Sequence, residues 1–200
     1  MRGMRVAYPL ALTVRVLTIS SYVRVVDATG RLVGYVKQRA FRLREDVTIF
    51  ADEAQTQPLY HLKANQIIDI GATYSISNAE GRPLGAVRQR GMRTFWKATY
   101  DILDATQTAI GLIHEEDVWV KVIDGLVGEL PLLGFVIQQW INPTYLIDGA
   151  DGVTLLRLRK RPSLIERRFV VEQVSPLPPQ LEDLALPAVL MVVLLERSRG

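Results

Sequence analysis

The sequence contains no cysteine and only two histidines, His61 and His114, in 200 residues. Without cysteine there are no disulfides, thiolate metal sites, cysteine nucleophiles or palmitoyl attachment points, and the composition fits a reducing, cytoplasmic setting. His114-Glu115-Glu116 has no second histidine at helical spacing, the arrangement with which a zinc protease grips its metal. Both histidines read as ordinary strand residues. The serines at 20, 21, 75, 77, 163, 175 and 198 lack a nucleophile-elbow context, and no glycine-rich run has phosphate-loop spacing. Glu115 with Glu116, and Asp52 with Glu53, fall at turns or strand ends, where nothing sets two carboxylates across a cleft. No enzyme activity, cofactor or metal is expected.

Long hydrophobic runs are scarce as well. The most apolar stretch, Leu184 to Leu195, has twelve residues, about 18 Å of helix against a bilayer core of about 30 Å. Glu182 and Asp183 precede it and Glu196, Arg197 and Arg199 follow, an order that suits a helix macrodipole. A helix apolar on every side must be enclosed, and its length favours enclosure by protein over membrane. Pro187 forfeits a backbone hydrogen bond, so the helix is expected to kink there unless Gln180 to Leu186 form a separate lead-in. At the other end, Arg2 and Arg5 before an apolar run imitate a signal peptide. Arg15 interrupts that run, and Leu12-Thr13-Val14-Arg15-Val16 alternates as a first strand rather than a secretion signal. With 48% apolar residues, a single domain over 1–200 is expected, with 180–198 as its central helix.

Three copies of one unit are present. Asp27-Ala28-Thr29-Gly30-Arg31-Leu32-Val33-Gly34-Tyr35-Val36-Lys37-Gln38-Arg39 returns as Asn78-Ala79-Glu80-Gly81-Arg82-Pro83-Leu84-Gly85-Ala86-Val87-Arg88-Gln89-Arg90, and more faintly as Gly149 to Arg161. Asp or Asn followed three residues later by Gly supplies a tight turn whose glycine takes positive φ. Strand-forming residues flank each turn, so each unit is a β-hairpin. A second hairpin follows each of the first two copies: Val47–Phe50 with Leu59–Leu62, and Tyr100–Leu103 with Ile110–Ile113. After the third copy, Arg168–Glu172 is again a strand. Ten to twelve short strands joined by tight turns indicate a mainly β fold, a sandwich or a closed barrel.

Alternation divides the returning strands into two faces. One carries Gly34, Val36 and Gln38, then Gly85, Val87 and Gln89, then Leu156, Leu158 and Lys160. The other carries Tyr35, Lys37 and Arg39, then Ala86, Arg88 and Arg90, then Arg157, Arg159 and Arg161, and this basic face must look outward. Glycine inside a strand permits close approach of another backbone, so Gly34 and Gly85 are expected where the wall admits the helix.

Glu116 to Ile147 breaks the hairpin rhythm. Lys121, Asp124 and Glu129 prevent a transmembrane reading, and Gly125, Gly128, Pro131 and Gly134 divide the segment into one or two short helices. Either this insert covers a barrel end, or Trp119, Leu132, Leu133, Phe135 and Trp140 meet lipid or a partner.

The repeated Asp-Ala-x-Gly-x-x-x-Gly-x-Val hairpins, the basic strand after each and the terminal apolar helix resemble the LURP-one-related proteins, relatives of the phospholipid scramblases and of the Tubby C-terminal domain. The resemblance runs from about Leu12 to Arg197. It implies a twelve-stranded antiparallel barrel wrapped around a central hydrophobic helix, and membrane tethering or phosphoinositide binding as the activity. It further implies Lys37, Arg39, Arg88 and Arg90 as the positions nearest to a headgroup site. The chain departs from the scramblases in lacking palmitoylation cysteines and a dense acidic calcium loop. Asp104, Asp148 and Asp151 read instead as turn residues.

The net charge is +3. Arg157, Arg159, Lys160 and Arg161, with Arg167 and Arg168, are expected to join Arg88, Arg90, Arg93 and Lys97 in one positive patch. The expected function is non-catalytic binding at an anionic phospholipid or phosphoinositide surface through Lys37, Arg39, Arg88, Arg90, Arg157, Arg159 and Arg161, placing the protein in the cytoplasm and peripherally at a membrane. Nucleic acid is not an expected partner, because no aromatics interleave with the stripe along the chain. Two alternatives stay open: a solvated basic wall that discourages edge pairing, and a protein-interaction or oligomerisation scaffold in which the 116–147 insert docks a partner or a second copy.

Overall fold

The computed structural model describes residues 6–16, 20–39, 46–65, 72–90, 99–116, 144–163 and 166–198. They form strands β1 (Leu10–Val16), β2 (Ser20–Val26), β3 (Leu32–Arg39), β4 (Val47–Phe50), β5 (Pro58–Ala64), β6 (Thr73–Asn78), β7 (Pro83–Gln89), β8 (Tyr100–Asp104), β9 (Ala109–Glu115), β10 (Thr144–Gly149), β11 (Thr154–Arg161) and β12 (Arg167–Gln173), followed by helix α1 (Pro179–Ser198). Every strand pairs antiparallel with its neighbours in sequence, and β1 pairs with β12, so the sheet closes into a twelve-stranded barrel. Closure leaves no unpaired strand edge.

The three repeated turns share one backbone. In each, the first residue's N–H donates to the carbonyl four residues on: Asp27 to Arg31, Asn78 to Arg82, Gly149 to Val153. The glycine N–H donates back to that first residue, and Gly30, Gly81 and Gly152 have φ of 83°, 80° and 77°, a region that only glycine occupies without strain. A bulge follows the turn each time: Val33, Leu84 and Leu155 are the extra residues on the returning strands, opposite Val25/Val26, Ile76/Ser77 and Ile147/Asp148, and they sharpen the local twist.

The chain therefore contains three four-strand units, β2–β5, β6–β9 and β10–β12 with β1. The third is completed by the first strand of the chain, and where its second hairpin would turn, the chain instead runs from β12 into α1. Because neighbours are antiparallel, the β2–β3, β4–β5, β6–β7, β8–β9 and β10–β11 turns share one end of the barrel with the start of α1. That end is called the turn end.

Inward side chains of the wall, such as Leu12, Val23, Ile49, Ile76, Ile102, Leu156 and Val171, are buried around α1, whose residues from Leu184 to Leu194 are buried on all sides. Closest approach occurs at glycines. A β-carbon at Gly34 would lie 3.6 Å from Leu190 Cδ1, one at Gly111 3.5 Å from Leu181 Cδ1, and one at Gly85 3.0 Å from Leu184 Cδ1. The expectation that Gly34 and Gly85 admit the helix is met.

α1 runs from Pro179 to Ser198 with Pro187 two turns inside it, so the alternative of a separate lead-in over Gln180 to Leu186 does not apply. Leu181, Leu184 and Ala185, ahead of the proline, are buried in the same core as Leu190 after it, so packing holds the turn for which one hydrogen bond is missing. The expected 116–147 insert ends early, because Thr144–Ile147 open β10, where Tyr145 and Ile147 alternate into the core. Residues 117–143 lie outside the described residues.

Candidate functional site

The side chains named from sequence start three different strands' outer faces. Lys37 and Arg39 are on β3, Arg88 and Arg90 on or just after β7, and Arg157, Arg159 and Arg161 on β11. These strands are separated by four steps each around a ring of twelve, so the repeat points them in three directions. The expected union of Arg88 and Arg90 with the β11 arginines does not occur, and Arg93 and Lys97 lie outside the described residues. The periodicity that makes the copies alike is the reason their cations diverge.

Arg88 and Arg90 are also held locally. Asp101 on β8 stands opposite Arg88, is 3% exposed, and accepts from Arg88 at 3.2 Å and Arg90 at 2.7 Å. A buried carboxylate needs such partners to stay ionised at acceptable cost. On β11, Arg159 and Arg161 share Glu172 at 3.7 and 3.9 Å, and Arg157 lies 4.0 Å from Glu116. The Arg157 Nε is buried with no hydrogen-bond partner.

Ring closure assembles a different surface. Going round from β11 through β12, β1 and β2 to β3, the outward residues include Arg157, Arg159, Arg161, Arg168, Arg15, Arg24 and Lys37. Arg161 stands opposite Arg168, which stands opposite Thr13, which stands opposite Arg24. One row further from the turns, Arg15 stands opposite Tyr22 and Tyr22 opposite Lys37. Glu166 and Glu172 are the carboxylates of this arc. Glu166 binds Arg15 at 2.6 Å and Arg168 at 3.5 Å, while Arg24 reaches Glu53 of the β4–β5 turn at 2.7 Å. Lys37 is exposed and makes no ion pair with the described residues. Arg15 and Arg24 are the functional candidates that sequence reading missed. Alternation alone turns both outward, but only closure makes them neighbours of β11.

Aromatics enter this arc, outside the stripe read from sequence. Tyr22 lies between Arg15 and Lys37, and its ring stacks on Tyr35 with centroids 6.0 Å apart. Tyr35 alternates with Lys37 along β3 and Tyr22 with Arg24 along β2, and pairing across strands sets Tyr22 between Arg15 and Lys37.

The turn end is acidic. The Asp27 carboxylate accepts from the Thr29 hydroxyl at 2.6 Å and from the N–H groups of Thr29 and Arg31, and these bonds, the hydroxyl first, lower its pKa to about 2. Asp104 is lowered in the same way by Thr106 and Thr108. At Asp52, burial opposes ionisation, yet the Thr56 and Gln57 N–H groups outweigh it and the pKa is again lowered. These carboxylates are turn caps, as read for Asp104 from sequence.

A cavity of about 580 Å³ opens at the turn end beside Tyr8, Pro9 and Glu172–Pro176. Burial, then the neighbouring Tyr60, push the Tyr8 phenol up to about 12, so it stays protonated at neutral pH. Glu172 already serves Arg159 and Arg161, which leaves no acid-base pair there. The barrel interior is occupied by α1, whose residues from Leu184 to Leu194 are buried. His61 and His114 are on β5 and β9, and His114 Nε2 is 2.8 Å from Asp148. Among the described residues no group of three or more His, Asp or Glu is placed to hold a metal. Trp119, Leu132, Leu133, Phe135 and Trp140 lie outside the described residues.

Repeated glycine-turn hairpins, a closed barrel and an enclosed helix are the features on which a family comparison bears. Residues 32–124 match the LURP-one-related family. The match takes in β3 to β9, that is, the first unit without β2 and the whole second unit, and the resemblance read from the repeats is borne out there. No curated protein and no solved structure matches the chain. A LURP-one-related match on a barrel of this kind suggests a non-catalytic binding domain. Among the described residues no helix is long and apolar enough to cross a membrane, which leaves strand-based crossing unaddressed.

Proposed function

We propose that residues 1–200 act as one non-catalytic domain that binds anionic phospholipid surfaces, phosphoinositide-containing ones included, peripherally and on the cytoplasmic side. The contact is the outer face of β11–β12–β1–β2–β3. The observation that carries this reading is the charge ratio on those five neighbouring strands. Among the described residues Arg157, Arg159, Arg161, Arg168, Arg15, Arg24 and Lys37 face outward there, against Glu166 and Glu172 on or beside these strands and Glu116 and Glu53, which reach Arg157 and Arg24 from their neighbours, a surplus of three positive charges. On the rest of the wall Lys63, Arg88 and Arg90 are set against Asp101 and Asp148. Each basic residue near an anionic bilayer contributes about 1 kcal/mol, so a surplus of several charges gives measurable recruitment. Tyr22 supplies an amphipathic ring of the kind that sits at headgroup level.

Vesicle sedimentation tests this. Binding is expected to mixed phosphatidylcholine–phosphatidylserine vesicles at low salt, to weaken at moderate salt as charges are screened, and to be absent with phosphatidylcholine alone. Equal, negligible binding to both vesicle types removes the reading.

A further inference from the structure

Charge is also segregated along the barrel axis. The turn end carries Asp27, Asp52, Glu53, Glu80, Asp104 and Asp151, against Arg31 and Arg82. Glu182, in the first turn of α1, adds to the same end. Among the described residues the opposite strand ends carry Arg15, Lys37, Lys63, Arg90, Lys160, Arg161, Arg167 and Arg168, with Asp46, Asp101, Glu115, Glu116 and Glu166 in the minority. The turn carboxylates cannot be neutralised readily, since the turn N–H and hydroxyl groups that cap Asp27, Asp52 and Asp104 favour their ionised forms.

Strands of seven residues at about 3.3 Å each extend over roughly 20 Å, twice a Debye length of about 8–10 Å at physiological salt. One end of the barrel therefore sits inside the field of a charged surface while the other is screened from it. The Arg15–Tyr22–Lys37 row lies in the half remote from the turns.

We infer that the protein docks on an anionic bilayer with a fixed polarity, the Arg15–Tyr22–Lys37 row at the headgroups and the acidic turn end directed away from lipid. This rests on the phospholipid-binding reading and adds an orientation to it. Binding with the turn end toward the lipid would bring the turn carboxylates into a field that repels them.

The absence of cysteine makes a labelling test direct. Single-cysteine variants Ala28→Cys and Ala105→Cys on the turns, and Ser163→Cys beside Arg161, are each labelled with an environment-sensitive fluorophore. They are mixed with equimolar phosphatidylcholine–phosphatidylserine vesicles carrying a headgroup-depth nitroxide lipid. Quenching is expected to be several-fold stronger at position 163 than at 28 or 105. Ala150→Cys on the third turn and Thr13→Cys on β1 replace any variant that fails to fold. Sedimentation with the vesicles but equal quenching at all positions, or stronger quenching at the turns, overturns the orientation and leaves lipid binding standing. No sedimentation with the vesicles overturns both.

Discussion

Gly85 on β7 faces Leu184 on α1 so closely that a β-carbon on the glycine would lie 3.0 Å from the leucine Cδ1 and would collide with the Leu103 carbonyl oxygen of β8. The carbonyl is backbone and cannot swing aside, unlike the tip of a leucine. Gly85→Ala is therefore expected to destabilise by about 2–4 kcal/mol, in the range of overpacked cores or beyond. Gly34→Ala, whose nearest atoms would be side-chain carbons at 3.4–3.6 Å, is expected to cost under about 1 kcal/mol. Urea denaturation of the two variants checks the order. Equal losses would mean that the helix and not the β8 backbone sets the constraint.

Arg88 and Arg90 both serve the buried carboxylate of Asp101, from side chains that are themselves about half exposed (49% and 57%). Removing either arginine leaves Asp101 one charged donor, and the freed space admits water. Removing both strands a buried carboxylate, which costs roughly 3 kcal/mol or more. Arg88→Ala and Arg90→Ala are each expected to lose about 1 kcal/mol or less, and the double variant markedly more than their sum. A double-mutant cycle by chemical denaturation measures the excess; strict additivity would show that Asp101 is hydrated.

The turns and strands were legible because their determinants are local. Asp27 and Asn78 mark the same turn with the same glycine offset, and alternation then fixes which of Val36 and Lys37 enters the core. The helix was legible because a stretch apolar on all sides has few places to be. What a linear reading cannot supply is the pairing of β1 with β12, which joins residues as distant as Arg15 and Glu166, 151 positions apart. That one junction decides which cations are neighbours. The basic strands of the three copies look like one stripe in sequence, and the ring sends them to thirds of the circumference, so the arc is completed by Arg15 and Arg24 from strands that carry no stripe. Pro187 leaves two readings open for a related reason: its intrinsic penalty is local, but burial of Leu184 and Leu190 in a common core is not.

The repeated turn makes a pH prediction. Asp27 has a folded pKa of about 2, below its ordinary 3.8, so its ionisation stabilises the fold above about pH 4. That contribution is lost as pH falls toward 2. Asn78 fills the same place in the second unit, where its side-chain oxygen accepts from the Arg82 N–H at 2.8 Å. Asp27→Asn is thus expected to fold with the turn intact, to be less stable than the parent at pH 7, and to approach it as pH drops from 4 to 2. Thermal melts across that range test the sign. A gap that widens on acidification would contradict the turn-cap origin of the shift.

Charge position, and not charge total, is what the lipid-binding reading requires. Lys37→Glu and Arg82→Glu change net charge equally, and both side chains are exposed with no ion pair among the described residues. Lys37 is in the cationic arc, beside Tyr22; Arg82 is in the β6–β7 turn, at the acidic end. Reversing Lys37 alters two charge units at the surface, about 2 kcal/mol or roughly thirtyfold in vesicle affinity. Reversing Arg82, more than a Debye length away, is expected to change affinity less than about threefold. Titration of each variant with phosphatidylserine-containing vesicles at low salt separates the cases. Equal losses would mean that net charge alone attracts the barrel, and the assignment of a binding face to β11–β12–β1–β2–β3 would be wrong.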